Sequence, residues 1–257
     1  MLLVVDVGNT QTHVGLMDAG VLIDDWRIAT VQHRTGDEIA GLLHGLLVLR
    51  GMSASEAIDE IGIASVVPRL TQQWLEMAAK YLGVEAFVVG PGIRTGMRIA
   101  IKNPTEVGAD RIVNAVAAYE KYGGPCIVAD YGTATTFDVV SEEGDYLGGV
   151  IAPGIEVSLD ALTTRAAKLV KFELVAPAHV IGKSTTEALQ TGAVYGFAGE
   201  AEGIVRAIRG ELGVSAQVIA TGGLAEMIAR YTEVIDSVDP FLTLRGIEIV
   251  MRRQLRD

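Results

Sequence analysis

A short motif, an aspartate and a glycine followed by small hydroxyl residues, occurs twice in this chain of 257 residues. The first copy is VDVGNTQT at residues 5–12, and the second is ADYGTATT at residues 129–136. The two aspartates are 130 − 6 = 124 residues apart, which is close to half of the chain. Because each half has the length of a small domain, this spacing predicts two versions of one structural unit.

The predicted secondary structure repeats in the same order. In the first half, the pattern predicts strands at 2–7, 13–17, 21–29, 61–67 and 86–89, and helices at 37–50, 69–81 and 111–122. In the second half, it predicts strands at 126–130, 136–140, 146–151 and 217–220, and helices from 156, from 185 and over 223–231. This repetition favours two α/β domains, residues 1–118 and 119–257, with a ligand site in the cleft between them.

Composition restricts the partners of the protein. With 21 basic and 32 acidic residues, the formal net charge is −11, which disfavours nucleic acids and anionic membrane surfaces. Hydrophobic residues make up 49% of the chain, yet every apolar stretch is shorter than the roughly 18 residues of a membrane span. The start, MLLVVDVGNT, lacks the basic residues of a signal peptide, so we expect a soluble, cytoplasmic protein.

The Asp-x-Gly turns are candidate phosphate-binding turns. A glycine lets the backbone N–H groups approach an anion, and the threonines add hydroxyl donors. A carboxylate such as Asp6 can hold the Mg²⁺ that accompanies a nucleotide. One such turn is explained equally well as a β-hairpin in which the aspartate caps the turn. Two copies at equivalent positions favour phosphate binding.

Other nucleotide and metal motifs are missing from the sequence. Gly182-Lys183-Ser184-Thr185 resembles the end of a P-loop, but Pro177 stands where that loop needs a glycine. No G-x-G-x-x-G fingerprint of a dinucleotide site occurs. The four histidines are scattered and lack the spacing of a zinc site.

Two further stretches have a structural and a functional interpretation. Asp110, in NPTEVGADRIVNA at 103–115, either caps the helix predicted from Arg111 or accepts a proton from a substrate hydroxyl. Arg111 could bind a substrate carboxylate. The paired glycines of ATGG at 220–223 form either a tight strand-to-helix connection or a surface for a base or ribose. Residue types alone leave both pairs of alternatives open.

Six stretches, taken in order, resemble the type III pantothenate kinase family over nearly the whole chain. They are DVGNT at 6–10, NPTEVGADRIVNA at 103–115, DYGTATTFDVV at 130–140, GGVIAPGI at 148–155, GKSTTEALQTGAVYGF at 182–197 and ATGG at 220–223. The resemblance implies duplicated ribonuclease H-like domains of the actin-like ATPase type. Each would be a mixed β-sheet with flanking helices, and the nucleotide would bind in the cleft between them.

The resemblance also implies a reaction and a set of site residues. ATP would phosphorylate the terminal hydroxyl of pantothenate, giving 4′-phosphopantothenate at the start of coenzyme A synthesis. Asp110 would accept the proton, Asp6 would orient Mg²⁺, and Asp130 would bind K⁺ or NH₄⁺. The implied ATP contacts are Asp6, Val7, Gly8, Asn9, Thr10, Gln11, Thr12, His13 and Thr133. The implied pantothenate contacts are Gly108, Ala109, Asp110, Arg111 and Thr185. Members of the family work as homodimers.

The sequence departs from the family pattern at one position, and three other functions are alternatives to pantothenate phosphorylation. Many family members have an aromatic residue two positions before the Asn-Pro pair, where this chain has Ile101. A sugar or acetate kinase of the same superfamily shares the Asp-x-Gly turns but not the VGADR and GGVIAPG stretches. A regulatory protein like the Bvg accessory factors, or a nucleotide-driven switch like actin, would use the same fold without this reaction.

Overall fold

A computed structural model describes residues 1–53, 57–166 and 172–255. The chain divides into two compact units. Unit 1 contains Met1–Arg98, Lys102–Ala117 and Leu242–Asp257, and unit 2 contains Ile99–Ile101 and Ala118–Phe241. Within the described ranges, no helix combines the length and the apolar character that crossing a bilayer requires.

Unit 1 is built on a five-stranded mixed sheet with the order β3-β2-β1-β4-β5. The strands are β1 (Leu2–Val7), β2 (Gln11–Asp18), β3 (Val21–Ala29), β4 (Glu60–Ser65) and β5 (Ala86–Val89). β1 pairs antiparallel with β2 and parallel with β4, so it lies at the centre of the sheet. Its helices are α1 (Gly36–Val48), α2 (Pro68–Met77), which continues as a π-helical turn to Leu82, and, from the end of the chain, α7 (Leu242–Leu255). Helix α3 (Ala109–Tyr122) belongs to unit 1 as far as Ala117.

The core of unit 1 follows from the alternation of side chains along β1. Leu3, Val5 and Val7 point into a hydrophobic cluster with residues of α1 and α2. On the other face, glycines 15 and 62 leave room for Leu244 and Ile247 of α7. Asp6 belongs to this second face, since it alternates with Val5 and Val7.

Unit 2 repeats this architecture. Its strands are β6 (Cys126–Tyr131), β7 (Ala134–Val140), β8 (Tyr146–Pro153), β9 (Gln217–Gly222) and β10 (Ser237–Val238), and its sheet has the order β10-β9-β6-β7-β8. Its helices are α4 (Ile155–Arg165), α5 (Thr185–Leu212) and α6 (Ala225–Ala229). Read from the other edge, the order is that of unit 1, with β6 in the place of β1. Both ends of β6 lie 124 residues after those of β1, so the predicted duplication is confirmed.

The observed elements differ from the predicted ones mainly at the end of the chain. The pattern analysis assigned no element after residue 231, but β10 and α7 are there, and α7 packs in unit 1. The helix expected over 223–231 is shorter, Ala225–Ala229, and the helix expected from Arg111 begins at Ala109. The domain limits at residues 1–118 and 119–257 stay a prediction.

Candidate active site

The first Asp-x-Gly turn connects β1 to β2 in unit 1. The Gly8 N–H donates to the carbonyl of Gln11 at 3.1 Å, which closes the turn. A Cβ at Gly8 would lie 2.9 Å from that same carbonyl, so the turn requires glycine at this position. Asn9, Thr10 and Gln11 are exposed residues.

Two residues of the proposed ATP motif, Thr12 and His13, are buried in β2. The Thr12 hydroxyl lies 2.9 Å from that of Thr30, and His13 Nε2 lies 2.8 Å from Asp25 Oδ2. Burial lowers the pKa of His13, while the hydrogen bond to Asp25 opposes this shift. His13 is therefore expected to be neutral at pH 7. Its contact with Asp25 links β2 to β3 next to the turn.

Asp6 and Val7 form the end of β1, where Asp6 pairs with His13 on β2 and with Ala64 on β4. Among the described residues, no three His, Cys, Asp or Glu side chains are grouped to hold a metal ion. A single carboxylate fits Mg²⁺, because this ion usually binds through one or two carboxylates together with the phosphates of its nucleotide. Asp6 is therefore suited to a metal that arrives with ATP.

The second Asp-x-Gly turn connects β6 to β7 in unit 2. The Gly132 N–H donates to the carbonyl of Ala134 at 3.1 Å, and Thr133 is exposed at the tip. The arrangement of oxygen atoms beside this turn depends on Gly222, which has φ of +93°. A Cβ at Gly222 would lie 2.6 Å from both Asp130 Oδ1 and the carbonyl oxygen of Tyr131. A carboxylate and a carbonyl oxygen near each other are the hard ligands that a cation such as K⁺ prefers.

Asp110 is the second residue of α3 and not the residue that caps it. The first turn of the helix starts from Gly108, whose carbonyl accepts from the Ile112 N–H at 3.3 Å. Asp110 Oδ1 accepts from the Arg111 N–H at 2.8 Å and lies over the backbone of Gly108. The carboxylate is thus held beside the N-terminus of α3, and its lone pairs are only partly used by the helix.

Burial raises the pKa of Asp110 above its ordinary value. The Arg111 backbone N–H and guanidinium act in the opposite direction, with smaller effect. A carboxylate with a raised pKa accepts a proton more readily than an ordinary one, because its charged form is poorly solvated. The environment of Asp110 therefore fits the proton acceptor that the family resemblance implies.

Val66 connects the first turn with the loop of Asp110. Its backbone N–H donates to the carbonyl of Val7 at 3.1 Å. Its Cγ1 lies 3.5 Å from the position of a Cβ on Gly108. Unit 1 thus brings together the proposed ATP turn and the proposed pantothenate residues Gly108, Ala109, Asp110 and Arg111.

Thr185, the remaining proposed pantothenate contact, is the first residue of α5 in unit 2. Ser184 caps this helix by accepting from the Glu187 N–H at 3.2 Å. The Thr185 side chain is exposed at the helix N-terminus. Ile101, where many family members have an aromatic residue, also lies in unit 2, with Cγ2 3.4 Å from the position of a Cβ on Gly148.

Three residues that support the candidate site were not predicted from the sequence: Thr30, Asp25 and Val66. Each contacts site residues that are distant in sequence, so no local motif indicates it. A signal for Thr30 was nevertheless available. The residue 124 positions later is Gly154, in the GGVIAPGI stretch that already resembled the kinase family.

The chain is similar to known proteins over nearly its whole length. The family model for type III pantothenate kinases matches residues 2–207. The type III pantothenate kinase of Moorella thermoacetica is 52% identical over 253 residues, covering 98% of this chain and 99% of the relative. That of Streptomyces griseus is 51% identical over 262 residues, covering 99% of each.

Solved structures with low sequence identity share the fold. A Campylobacter jejuni protein described as a Baf family transcriptional activator has a TM-score of 0.61 at 19% identity, covering 99% of this chain and 100% of that one. Component A of (R)-2-hydroxyglutaryl-CoA dehydratase from Acidaminococcus fermentans has a TM-score of 0.56 at 13% identity, covering 99% and 97%. These similarities concern the fold alone.

Two mixed sheets with one strand order, each with an Asp-x-Gly hairpin and flanking helices, define a duplicated α/β protein. The comparisons give the particular family within this class. The chain belongs to the type III pantothenate kinase family, which confirms the resemblance seen in the six sequence stretches.

Proposed function

We propose that this protein transfers the terminal phosphoryl group of ATP to pantothenate, giving 4′-phosphopantothenate in the first step of coenzyme A biosynthesis. The relatives that match nearly the whole chain are named type III pantothenate kinases. The observation that carries the proposal is the half-buried Asp110 carboxylate at the start of α3, which accepts from the Arg111 N–H and has a raised pKa. It lies in the loop that the resemblance assigns to pantothenate.

In this proposal, Asp110 accepts the proton of the terminal hydroxyl of pantothenate. The hydroxyl oxygen attacks the γ-phosphorus of ATP, and ADP leaves. Phosphoryl transfer passes through a loose transition state, so positioning and charge neutralisation dominate catalysis. The hydrogen bond from the Arg111 N–H orients the carboxylate without protonating it. Arg111, Gly108, Ala109 and Thr185 contact pantothenate, and Ile101 replaces an aromatic contact with an apolar one.

The proposed ATP contacts are the residues from Asp6 to His13 and Thr133. The backbone of the exposed residues 9–11 offers N–H groups to the phosphates, and the tight turn at Gly8 holds that backbone in place. Asp6 holds Mg²⁺. When bound, this ion neutralises charge on the phosphate oxygens.

A monovalent cation, K⁺ or NH₄⁺, is proposed to bind at Asp130. The carboxylate of Asp130 and the carbonyl of Tyr131 both lie beside Gly222, and a side chain there would displace them. A bound cation offsets the negative charge of Asp130 next to the exposed turn at Thr133, so that this turn tolerates an anionic ligand.

We further propose that the enzyme is cytoplasmic, as the sequence predicts, and a homodimer, as the family resemblance implies. Helix α5 offers a surface to test first. Five exposed glycines recur on one face of this helix with spacings of 4, 3, 4 and 7 residues. They are Gly192, Gly196, Gly199, Gly203 and Gly210. Among the described residues, no side chain or neighbouring element comes within 4 Å of a Cβ placed on any of them. Glycine costs a helix about 1 kcal/mol relative to alanine, and no contact with the described residues explains this cost.

A substrate panel tests the proposed reaction. Purified protein is incubated with Mg-ATP, K⁺ and either pantothenate, glucose or acetate, and phosphorylated products are detected by mass spectrometry. Product from pantothenate alone is expected. Product from glucose or acetate would instead support the activity of a sugar or acetate kinase. No product from folded protein would favour a regulatory role.

A further inference from the structure

Thr30, directly after β3, makes three hydrogen bonds with the first Asp-x-Gly turn. Its backbone N–H donates to the carbonyl of Thr10 at 2.9 Å. Its hydroxyl donates to the carbonyl of Gly8 at 2.8 Å and lies 2.9 Å from the hydroxyl of Thr12. One residue thus contacts three of the proposed ATP-binding positions.

The directions of these bonds follow from the number of protons available. A threonine hydroxyl has one proton, and that of Thr30 is donated to Gly8. The short contact between the two hydroxyls therefore requires Thr12 to donate to Thr30. Thr12 is also 2% exposed, so its hydroxyl supports the turn from within the sheet.

The orientation of two backbone N–H groups follows from the same bonds. In a planar trans peptide, the carbonyl of one residue and the N–H of the next point in opposite directions. Because the carbonyls of Gly8 and Thr10 point at Thr30, the N–H groups of Asn9 and Gln11 point away from it. Asn9 and Gln11, which carry these two donors, are exposed residues.

We propose that Thr30 is a positioning residue of the ATP site, which holds the carbonyls of Gly8 and Thr10 so that the N–H groups of Asn9 and Gln11 face the phosphates. This inference rests on the proposed function, since it assumes that the turn binds ATP. It adds a residue that neither the motif nor the family resemblance assigns.

The duplicated half provides independent support. The offset of 124 residues that relates Gly8 to Gly132 also relates Thr30 to Gly154, which directly follows β8. A Cβ at Gly154 would lie 2.8 Å from the carbonyl oxygen of Gly132 and would overlap the carbonyl of Thr133. The position after the third strand therefore contacts the phosphate turn in both units, through a hydroxyl in one and through close backbone packing in the other.

The test compares Thr30→Val with Thr30→Ser. Valine keeps the shape and the backbone N–H of threonine but removes the hydroxyl, and serine restores that hydroxyl. Thr163→Val is the matched control, because it removes a hydroxyl that donates to a backbone carbonyl, that of Leu159 at 3.0 Å, within α4. For each variant, kcat and the KM values for ATP and for pantothenate are measured, together with Tm.

We expect Thr30→Val to lower kcat/KM for ATP by about 10- to 100-fold, as a misplaced contact does, with KM for pantothenate nearly unchanged. Thr30→Ser and Thr163→Val should stay close to the parent protein. Unchanged ATP kinetics in Thr30→Val would overturn the inference. So would an equal loss toward both substrates accompanied by a lower Tm, since that describes a structural role.

Amide hydrogen exchange without nucleotide separates this inference from the proposed function. Thr30→Val should exchange faster than the parent and than Thr30→Ser at residues 8–11. Equal exchange in all three proteins would contradict the orienting role, whatever the activity. If the parent protein phosphorylates no substrate but exchange responds as expected, the proposed function fails while the effect of Thr30 on the turn stands.

Discussion

The carboxylate of Asp110 occupies the space that a side chain at position 108 would need. The proposed proton acceptor can therefore occupy its observed position only because residue 108 has no side chain. Gly108→Ala should push the carboxylate aside and lower kcat by about 100-fold, the effect of a small displacement at a reacting group. Steady-state kinetics with pantothenate measure this loss.

Gly45→Ala serves as its control. A Cβ at Gly45, inside α1, meets nothing within 4 Å, so this variant should keep its kcat and gain about 1 kcal/mol of stability. Normal kcat in a folded Gly108→Ala protein would show that the loop adjusts freely and that the observed carboxylate position is not needed.

Asp110→Asn should separate activity from stability. Removal of the proton acceptor should lower kcat by about 10²- to 10⁴-fold. The same change removes a half-buried carboxylate whose pKa is raised by burial. Asparagine can still accept from the Arg111 N–H, so the variant should be at least as stable as the parent at neutral pH. Kinetics and thermal unfolding of the two proteins check both parts.

The raised pKa of Asp110 also predicts two pH dependences. Activity of the parent should rise with pH as Asp110 loses its proton, and this acid limb should be missing in Asp110→Asn. The folded state binds the proton of Asp110 more tightly than the unfolded state does, so the bound proton stabilises the fold fully at low pH. This stabilisation is lost as the pH rises from the pKa of Asp110 in the unfolded chain to its pKa in the folded protein. Stability curves of parent and variant that stay parallel over this range would contradict the assignment.

The oxygen atoms beside Gly222 predict a specific cation defect. Activity should depend on K⁺ or NH₄⁺ and be lost in Na⁺. Gly222→Ala places a Cβ 2.6 Å from Asp130 Oδ1 at a strained φ of +93°, so more K⁺ should be needed for half-maximal activity. Titration with KCl at constant ionic strength measures the shift. Equal rates of the parent in all three salts would remove the role given to Asp130.

Substitution of Gly199 on the glycine face of α5 should have opposite effects, depending on whether this face contacts a second copy of the chain or only solvent. If a second copy of the chain packs on it, Gly199→Leu should shift the protein toward monomers in analytical ultracentrifugation. If the face contacts only solvent, Gly199→Leu should leave the association state unchanged and stabilise the helix, because leucine is a far better helix former than glycine. The second result would exclude this face as the subunit interface.

The sequence predicted the part of the fold that repeats. The Asp-x-Gly motif and the apolar runs located both central strands, because strand β6 follows β1 at a constant offset. Helix α7 was missed although its buried residues Leu244, Ile247 and Met251 recur at helical spacing. Its place in unit 1 could not be predicted, because Leu244 packs where Gly15 of the distant strand β2 leaves space. No pattern within residues 242–255 shows that contact.

The candidate site was predictable to a similar extent. Its motif residues are local, and the six stretches gave the family. The environment of Asp110 was not predictable, because its burial and its position over Gly108 depend on the folded loop. The role of Thr30 depends on hairpin geometry, which brings it to a carbonyl 22 residues earlier in the chain.

The most direct test of the central claim is the identity and position of the phosphorylated product. The protein is incubated with pantothenate, Mg-ATP and K⁺, and the product is examined by phosphorus–proton correlation NMR. The proposed reaction predicts a phosphoryl group on the terminal hydroxyl of pantothenate, and its loss in Asp110→Asn. ATP hydrolysis without a pantothenate ester, or no turnover by the folded parent protein, would contradict it.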